Sequence, residues 1–252
     1  MTSRPFHMLC IYPLSLWMLI NIKGNDESIT MTGKEDWKQF TRGTSPSTVR
    51  IDPLFFKVVR TGSHVLDIGC GHGKTARMLG THGYVVTGID INDKEIAFAR
   101  EGDDNRKTHY LEADATALPF DDETFDACIM QAFLTTLIDP ATRRKALEEA
   151  HRVAVDGGML YLGVFAYTPD NPVYKQRYDA HLPVASERGT FIVTRDGQEG
   201  SDPLYRAHHY TRTEIETLLE GLFDIVHFKE TVFHSYHGNW CNAFVVIARK
   251  LD

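Results

Sequence analysis

Short apolar runs alternate with amphipathic segments through the middle of the chain. We interpret the apolar runs at residues 64–68, 84–89, 108–113, 125–130 and 159–165 as buried strands. The segments at 75–81, 93–101 and 141–155 have helical spacing, with Asn92 as a cap of the second and Asp156-Gly157-Gly158 ending the third. Strands alternating with helices predict an α/β fold with a doubly wound, mostly parallel sheet covered on both faces. Ligands of such sheets bind beyond the carboxyl ends of the strands.

The alternation stops after Phe165. Residues 166–210 contain four prolines together with many tyrosines and arginines, and the stretches 189–194 and 204–210 are compatible with a hairpin around Asp196-Gly197. A helix over 211–222, capped by Thr211 or Thr213, and two strands over 223–233 and 242–249 complete the pattern. We therefore expect one domain over residues 31–252, with 166–210 as an insertion after the fifth strand.

The first thirty residues differ from the rest. Residues 6–20 are mostly apolar but are interrupted by Pro13, and they are too few for a comfortable membrane span. No small-residue cleavage site follows them, as a signal peptide would require. We expect residues 1–30 to be a disordered leader, or upstream sequence with the functional start at Met31. A membrane-associating anchor is the alternative, and no transmembrane segment is expected elsewhere.

Charge and cysteine content narrow the class of protein. The net charge of −7 over 252 residues makes a broad contact with nucleic acid unexpected. The four cysteines have no paired or metal-like spacing, which fits a reducing compartment better than a disulfide framework. We expect a cytoplasmic protein without a metal site. The oligomeric state cannot be predicted from the sequence, and a homodimer is one option.

A glycine-rich loop follows the first predicted strand, in the stretch HVLDIGCGHGKTARML. A phosphate-binding P-loop would need a glycine at position 68, which is Ile68. A dinucleotide-binding loop would need its third glycine at position 74, which is Lys74. Both interpretations therefore fit the spacing poorly.

A third interpretation rests on four motifs that occur in order. The loop has the form Asp-x-Gly-x-Gly-x-Gly, an acid follows the second strand, Asp114-Ala115 follows the third, and Leu147-Glu148-Glu149-Ala150-His151-Arg152-Val153 precedes paired glycines. Over about residues 60–165 the sequence resembles the class I S-adenosylmethionine (SAM)-dependent methyltransferases, in the small-molecule branch that includes ubiquinone/menaquinone-type enzymes. One departure is Ala154-Val155-Asp156, where many relatives have Leu-Lys-Pro. The resemblance implies SAM as cofactor and a Rossmann-like, seven-stranded sheet with an antiparallel last strand.

The resemblance also implies the residues that bind SAM. They are Asp67, Gly69, Cys70, Gly71, Gly73, Asp90, Ile91, Asp114, Ala115 and Gln131. Asp67 is expected near the methionine ammonium, Asp90 at the ribose hydroxyls, Asp114-Ala115 at the adenine and Gln131 beside the methionine part or the methyl. Structural roles remain open: a turn for Asp67 or Asp114, a helix cap for Asp90 and an ordinary strand end for Gln131.

The methyl of SAM is already activated, so placement can supply much of the catalysis, and a base is needed only if the acceptor loses a proton. We expect residues 166–210 to form a substrate lid, with His208, His209 and Tyr210 as the preferred catalytic candidates among several others (His181, Tyr236 and His237). No Asp/Asn-Pro-Pro-aromatic motif and no Pro-Cys pair follows the fourth strand, which disfavours nucleobase methylation. The sequence thus predicts transfer of a methyl to a small-molecule acceptor by in-line displacement. Methylation of RNA or protein, and SAM-dependent regulation without catalysis, are the alternatives.

Overall fold

The computed structural model describes residue 37 and residues 50–182, 185, 187–194, 203–235 and 238–252. The expected leader, the Asp196-Gly197 turn and the candidates Tyr236 and His237 lie outside these residues. The helices are α1 (Phe55–Val58), α2 (Lys74–Thr81), α3 (Asp93–Glu101), α4 (Pro140–Val153), α5 (Pro172–His181) and α6 (Arg212–Leu219), with a 3₁₀ helix at Leu134–Thr136. The strands are β1 (His64–Ile68), β2 (Val85–Asp90), β3 (Thr108–Glu112), β4 (Phe125–Gln131), β5 (Ala154–Phe165), β6 (Thr190–Thr194), β7 (Pro203–His208), β8 (Phe223–His234) and β9 (Trp240–Lys250).

Seven of these strands form one sheet in the order β3-β2-β1-β4-β5-β9-β8. Strands β1 to β5 pair in parallel, and β9 pairs antiparallel with both β5 and β8. The expected sheet, with its antiparallel last strand, is confirmed. The strands β2 and β3 are added on one side of β1, and β4 and β5 are added on the other. The order of the strands therefore reverses between β1 and β4, and the ligand-binding crevice of this topology lies beyond the carboxyl ends of these two strands.

Alternate residues of the central strands pack on opposite faces of the sheet. Leu66 and Ile68 of β1 belong to one buried apolar cluster, whereas Val65 belongs to the other. In β5, Leu160 and Leu162 pack on the first face and Tyr161 on the second. Both faces of the sheet are therefore covered by packed apolar side chains, which accounts for the nearly continuous apolar runs in the sequence.

The transition from α4 to β5 differs from the expectation. The helix ends at Val153, and Gly157, with φ 67°, lies inside β5 instead of capping a helix that was expected to reach residue 155. The last helical carbonyls are already engaged, because Glu123 N–H donates to Arg152 O and Thr124 N–H to Val153 O. The register of β4 against β5 shifts between Phe125 and Ala127, so the glycines accommodate an irregularity in the sheet.

The insertion contains a helix that the sequence interpretation missed. In α5 the side chain of Asn171 accepts from Val173 N–H, and Pro172 occupies the first helical turn. The expected hairpin is confirmed as the antiparallel pair β6–β7. Thr211 and Glu214 form the capping box of α6. Among the helices in the described part of the chain, none has both the length and the apolar composition that crossing a bilayer requires.

Candidate cofactor and acceptor site

The glycine loop joins β1 to α2 in a conformation that requires glycines. Gly69, Gly71 and Gly73 have φ values of 74°, 51° and 80°. A Cβ on Gly69 would overlap the ring of Phe133, and one on Gly73 would lie 2.7 Å from the ring of Tyr110. A Cβ on Gly71 would find its nearest neighbour at 3.8 Å. The backbone around Gly71 is therefore the part of the loop that a ligand can approach.

Asp67 lies at the end of β1, directly before this loop. Its side chain is buried, and its Oδ2 atom has no hydrogen-bond partner among the residues that the structure describes. Burial, together with the negative charge of Asp90, raises the pKa of Asp67 to about 7. A buried carboxylate oxygen without a partner fits a cationic group of a ligand, such as the ammonium of SAM.

Asp90 ends β2 and holds the loop in place. Its two carboxylate oxygens accept hydrogen bonds from Gly71 N–H and Asn92 N–H, both at 2.9 Å. Asn92, as expected, caps α3 by accepting from two backbone N–H groups. Each oxygen of Asp90 retains a further lone pair, so the carboxylate can serve the loop and accept from ribose hydroxyls together.

Glu95 is a site residue that the sequence interpretation missed. It lies in the first turn of α3, is buried, and its Oε2 atom is 3.5 Å from His72 Nδ1. Asn92 and Glu95 indicate a helix start in the sequence, and only the fold shows that this turn faces the glycine loop. Three carboxylates thus surround the loop. Their charge favours the sulfonium and ammonium of SAM and opposes the pyrophosphate of a dinucleotide.

The segments after β2 and β3 lie beside each other, because Ala113 N–H donates to Asp90 O at 3.0 Å. Asp114 accepts from the N–H and the hydroxyl of Thr116, at 2.9 and 2.8 Å, in a local turn. Ala115 is buried and Ile91 is half-buried. The proximity of Ile91, Asp114 and Ala115 supports the predicted adenine-binding segment.

Cys70 contributes to the loop mainly through its backbone. Its thiol contacts Gly71 O, and a Cβ on Gly88 of β2 would lie 3.0 Å from the sulfur. Burial and the charges of Asp67 and Asp90 raise the pKa of the thiol. The Cys70 side chain therefore fills the space beside β2 as a neutral group.

Gln131 and Ala132 mark the end of β4. Within the described part of the chain, both amide atoms of Gln131 lack a hydrogen-bond partner, and the side chain occupies the space that Gly163 of β5 leaves free. Ala132 has φ 55°, an unusual value for a residue with a side chain. The strained backbone bends the chain away from the sheet at the point where the cofactor crevice is expected.

A cavity lies between this bend and the insertion. Aromatic, hydroxyl and basic side chains dominate its wall, which consists of Trp37, Ala132, Thr135, Thr136, Phe165, Tyr174, Arg177, Phe191, Val193, Tyr205, Ala207, His209 and Ser235. A largely aromatic wall with a few polar groups is the composition of a site for a small organic molecule.

The three preferred catalytic candidates have different surroundings. His208 is fully buried between Thr190, at 2.7 Å, and Glu214, at 3.4 Å. The buried Tyr210 donates its hydroxyl proton to Leu134 O at 2.7 Å. Neither residue lines the cavity, whereas His209 does. The structure thus brings His209 to the cavity, with His208 and Tyr210 holding the insertion to the domain. The further candidate His181 lies at the end of α5, where its Nδ1 contacts Arg177 O.

Comparisons with known proteins agree with this geometry. The family model described as "Methyltransferase domain" matches residues 66–162. The ubiquinone/menaquinone biosynthesis C-methyltransferase UbiE of Marinomonas sp. is 31% identical over 192 residues, which are 71% of this chain and 72% of that protein. The demethylmenaquinone methyltransferase of Clavibacter sepedonicus is 33% identical over 124 residues, so the match spans about half (48%) of each chain.

Solved structures extend the similarity to the whole fold. The crystal structure of a SAM-dependent methyltransferase from Methanosarcina mazei has a TM-score of 0.76 at 33% identity, covering 81% of this chain and 99% of that one. The [4+2]-cyclase SpnF, at 19% identity and a TM-score of 0.55, shares the fold alone. The chain belongs to the class I SAM-dependent methyltransferases of the ubiquinone/menaquinone type, and its cofactor is SAM.

Proposed function

We propose that the protein transfers the methyl of SAM to a small organic acceptor held in the cavity beneath the insertion. One observation carries the proposal. At the end of β4, Ala132 lines the cavity, and the ring of the next residue, Phe133, packs against Gly69 of the glycine loop. The two compartments therefore adjoin where a methyl has to pass. The names of the relatives, C-methyltransferases of quinone biosynthesis, make ring carbons of quinol-like molecules the first acceptors to test.

SAM would supply a methyl on a positively charged sulfur: in-line attack by the acceptor forms the new bond, the sulfur keeps the electron pair of the broken one, and an acceptor with a proton on the attacking atom releases that proton afterwards. The protein's residues bind and orient the reactants. Asp67, Asp90 and Glu95 bind the cationic part and the ribose, while the glycine loop approaches the ligand through its backbone. The aromatic wall of the cavity excludes water and orients the acceptor, which can supply several kcal/mol of the barrier.

Ligand binding provides the first test. We expect micromolar binding of SAM and S-adenosylhomocysteine by titration calorimetry, and binding of NAD and ATP that is weaker by about 100-fold or more, or about 2.7 kcal/mol. The titrations are run at about pH 8, where most of Asp67 is deprotonated, because three charged carboxylates at the loop then repel phosphates. NAD binding as tight as that of SAM would overturn the assignment of the loop.

Methyl transfer is tested separately, by incubating the protein with methyl-labelled SAM and fractionated metabolite pools that include quinols. Label is expected in a small molecule. Label found in RNA or protein, or SAM binding with no labelled product in any fraction, would reject the small-molecule acceptor in favour of the macromolecular or regulatory alternative.

A further inference from the structure

His209 is fixed in the cavity wall by aromatic contacts. Its ring stacks on Phe165, with centroids 5.4 Å apart and planes at 13°, and meets the edge of Phe191 at 4.8 Å. The residue is 3% exposed. The orientation of the imidazole is therefore set by packing, and its two nitrogens have separate environments.

The Nδ1 atom of His209 has two polar neighbours, the Tyr178 hydroxyl and the Cys241 thiol, and the thiol donates to Ala166 O at 3.3 Å. The hydroxyl of Tyr178 lies 2.8 Å from it, and the thiol of Cys241 lies 3.5 Å away. The Tyr178 oxygen already accepts a hydrogen bond from Thr168 N–H at 3.2 Å. Because Nδ1 is the remaining acceptor in reach of the buried Tyr178 hydroxyl, the tyrosine proton is donated to Nδ1. The tautomer with its proton on Nε2 gives the Tyr178 hydroxyl its acceptor, while the Cys241 thiol donates to Ala166 O.

Burial lowers the pKa of His209 well below the usual value, and the neighbouring charges of His208 and Arg177 act in the same direction. The ring is therefore neutral, with Nδ1 as an acceptor and Nε2–H as a donor. A neutral imidazole in this tautomer is suited to donate a hydrogen bond, and it is poorly suited to remove a proton through Nε2.

The Nε2 atom makes no hydrogen bond with any residue in the described part of the chain. A second polar group of the cavity wall, the Thr135 hydroxyl, is buried: the residue is 7% exposed, and its Oγ1 atom has no partner among the described residues. A buried polar group without a partner is costly in an apolar wall, and a ligand in the cavity would supply a contact to Thr135 Oγ1 and to His209 Nε2.

We propose that the cavity binds its ligand through an oxygen atom, phenolic or carbonyl, that accepts a hydrogen bond from Nε2–H of His209, with Tyr178 as the positioning residue that sets the tautomer. This inference rests on the proposed function, because it names the chemical group by which the acceptor is recognised. Thr135 offers a second hydroxyl contact on the same wall.

The tautomer is measured without any acceptor, by nitrogen-15 NMR of protein labelled in its histidine rings. We expect Nε2 of His209 to be protonated and Nδ1 to be unprotonated. Tyr178→Phe should produce a mixture of tautomers. Tyr174→Phe is the matched control, since that ring also contacts His209, at 5.0 Å, without bonding to Nδ1. A proton on Nδ1 in the unmodified protein would overturn the proposal, whatever the outcome of methyl-transfer assays.

The donor function is measured with 4-nitrophenol as the oxygen-bearing probe, added to protein saturated with S-adenosylhomocysteine. We expect His209→Phe, which keeps the aromatic contacts, to weaken probe binding by about tenfold or more, as loss of one good hydrogen bond predicts. His209→Gln should weaken probe binding less than His209→Phe does, because the amide N–H₂ of glutamine can still donate a hydrogen bond. Unchanged affinity of His209→Phe, or no probe binding to the unmodified protein, would overturn the proposal. Failure of methyl transfer alone would remove the proposed function and leave these two results standing.

Discussion

Asp67 illustrates how one buried side chain links cofactor binding to pH. Its raised pKa, about 7, means that the folded protein without ligand holds a proton that the unfolded chain has lost. Between about pH 4 and about pH 7 the unfolded state therefore binds fewer protons, and the free energy of unfolding falls as pH rises. A bound ammonium stabilises the charged carboxylate of Asp67, so the protein with bound ligand favours the deprotonated form.

We accordingly predict that SAM binding releases a proton from Asp67 near pH 6.5. The affinity should rise about tenfold between about pH 6 and about pH 8, since the deprotonated fraction of a group with this pKa rises by that factor. Calorimetry in two buffers of different ionisation enthalpy counts the protons released. Asp67→Asn should bind SAM more weakly with no such slope, and a flat affinity profile in the unmodified protein would contradict the assignment.

At the residue scale, the sequence was informative where chemistry depends on local spacing. The three glycines, Asp67 and Asp90 were predicted because the turn and the acids follow strand ends at fixed intervals. Glu95, Thr135 and the contact of Tyr178 with His209 were not, because these side chains come together only through tertiary packing. The hydrogen bond between Tyr178 and His209 joins residues 31 positions apart, and no local pattern encodes that contact.

Among the elements, α4 explains why the Glu149-Arg152 part of the family motif is present. Glu149 accepts from Leu118 N–H at 2.7 Å, and the guanidinium of Arg152 donates to Leu118 O at 3.0 Å and Phe120 O at 2.8 Å. A salt bridge joins Arg152 and Glu149 at 2.9 Å. These contacts fasten the segment that follows Asp114-Ala115, and so position the predicted adenine contacts.

We predict that Arg152→Met lowers the free energy of unfolding by about 1–3 kcal/mol, because several hydrogen bonds to this segment are lost at once. SAM affinity should fall severalfold, through the displaced segment. Lys175→Met is the matched control: it breaks the exposed pair Lys175–Asp179 and should leave the free energy of unfolding nearly unchanged, because solvent screens this pair. Denaturant unfolding and SAM titration are measured for both variants. If both variants change the free energy of unfolding and the SAM affinity equally, α4 does not anchor the segment.

Most elements could be predicted from periodicity, and the exceptions have physical causes. Helix α4 ends where the backbone N–H groups of residues 123 and 124 donate to its last carbonyls. This contact depends on the tertiary fold, so the helix end could not be predicted from Gly157 and Gly158. Helix α5 has a recognisable start in Asn171-Pro172. Its apolar residues do not form a clear stripe, because aromatic side chains of α5 pack against the hairpin as well as the sheet, as the contact of Tyr174 with Phe191 shows.

On the scale of the whole molecule, charge is divided between two neighbouring compartments. Carboxylates surround the glycine loop, whereas the cavity wall contains Arg177 and no acidic residue among the described ones. A cationic cofactor and an oxygen-bearing acceptor would each find a complementary environment, with the end of β4 between them. The net charge of −7 conceals this division, so composition alone could not have predicted it.

Trp37 contacts residues of both compartments. Its carbonyl accepts from Asn92 Nδ2 at 2.8 Å, next to Asp90, and its ring lies 4.8 Å from that of Tyr205 in the cavity wall. These two contacts place Trp37 at the site. The apolar run at residues 6–20, in contrast, has no periodic partner in the sequence of the domain.

We therefore predict that a chain beginning at Met31 keeps its SAM affinity within about twofold and its thermal midpoint within about 2 °C, corresponding to less than about 1 kcal/mol. A chain beginning at Arg50 lacks Trp37 and should lose several degrees of thermal stability and part of its SAM affinity, because Asn92 and Tyr205 lose their partner. Trp37→Ala in the full chain is the matched control, since it removes the ring contact with Tyr205 and retains the backbone carbonyl. It should impair probe binding in the cavity more than SAM binding. Calorimetry and thermal unfolding of the three proteins provide the measurement. If the chain beginning at Met31 fails to fold or to bind SAM, the apolar run at residues 6–20 packs on the domain, and the expectation of a dispensable leader is wrong.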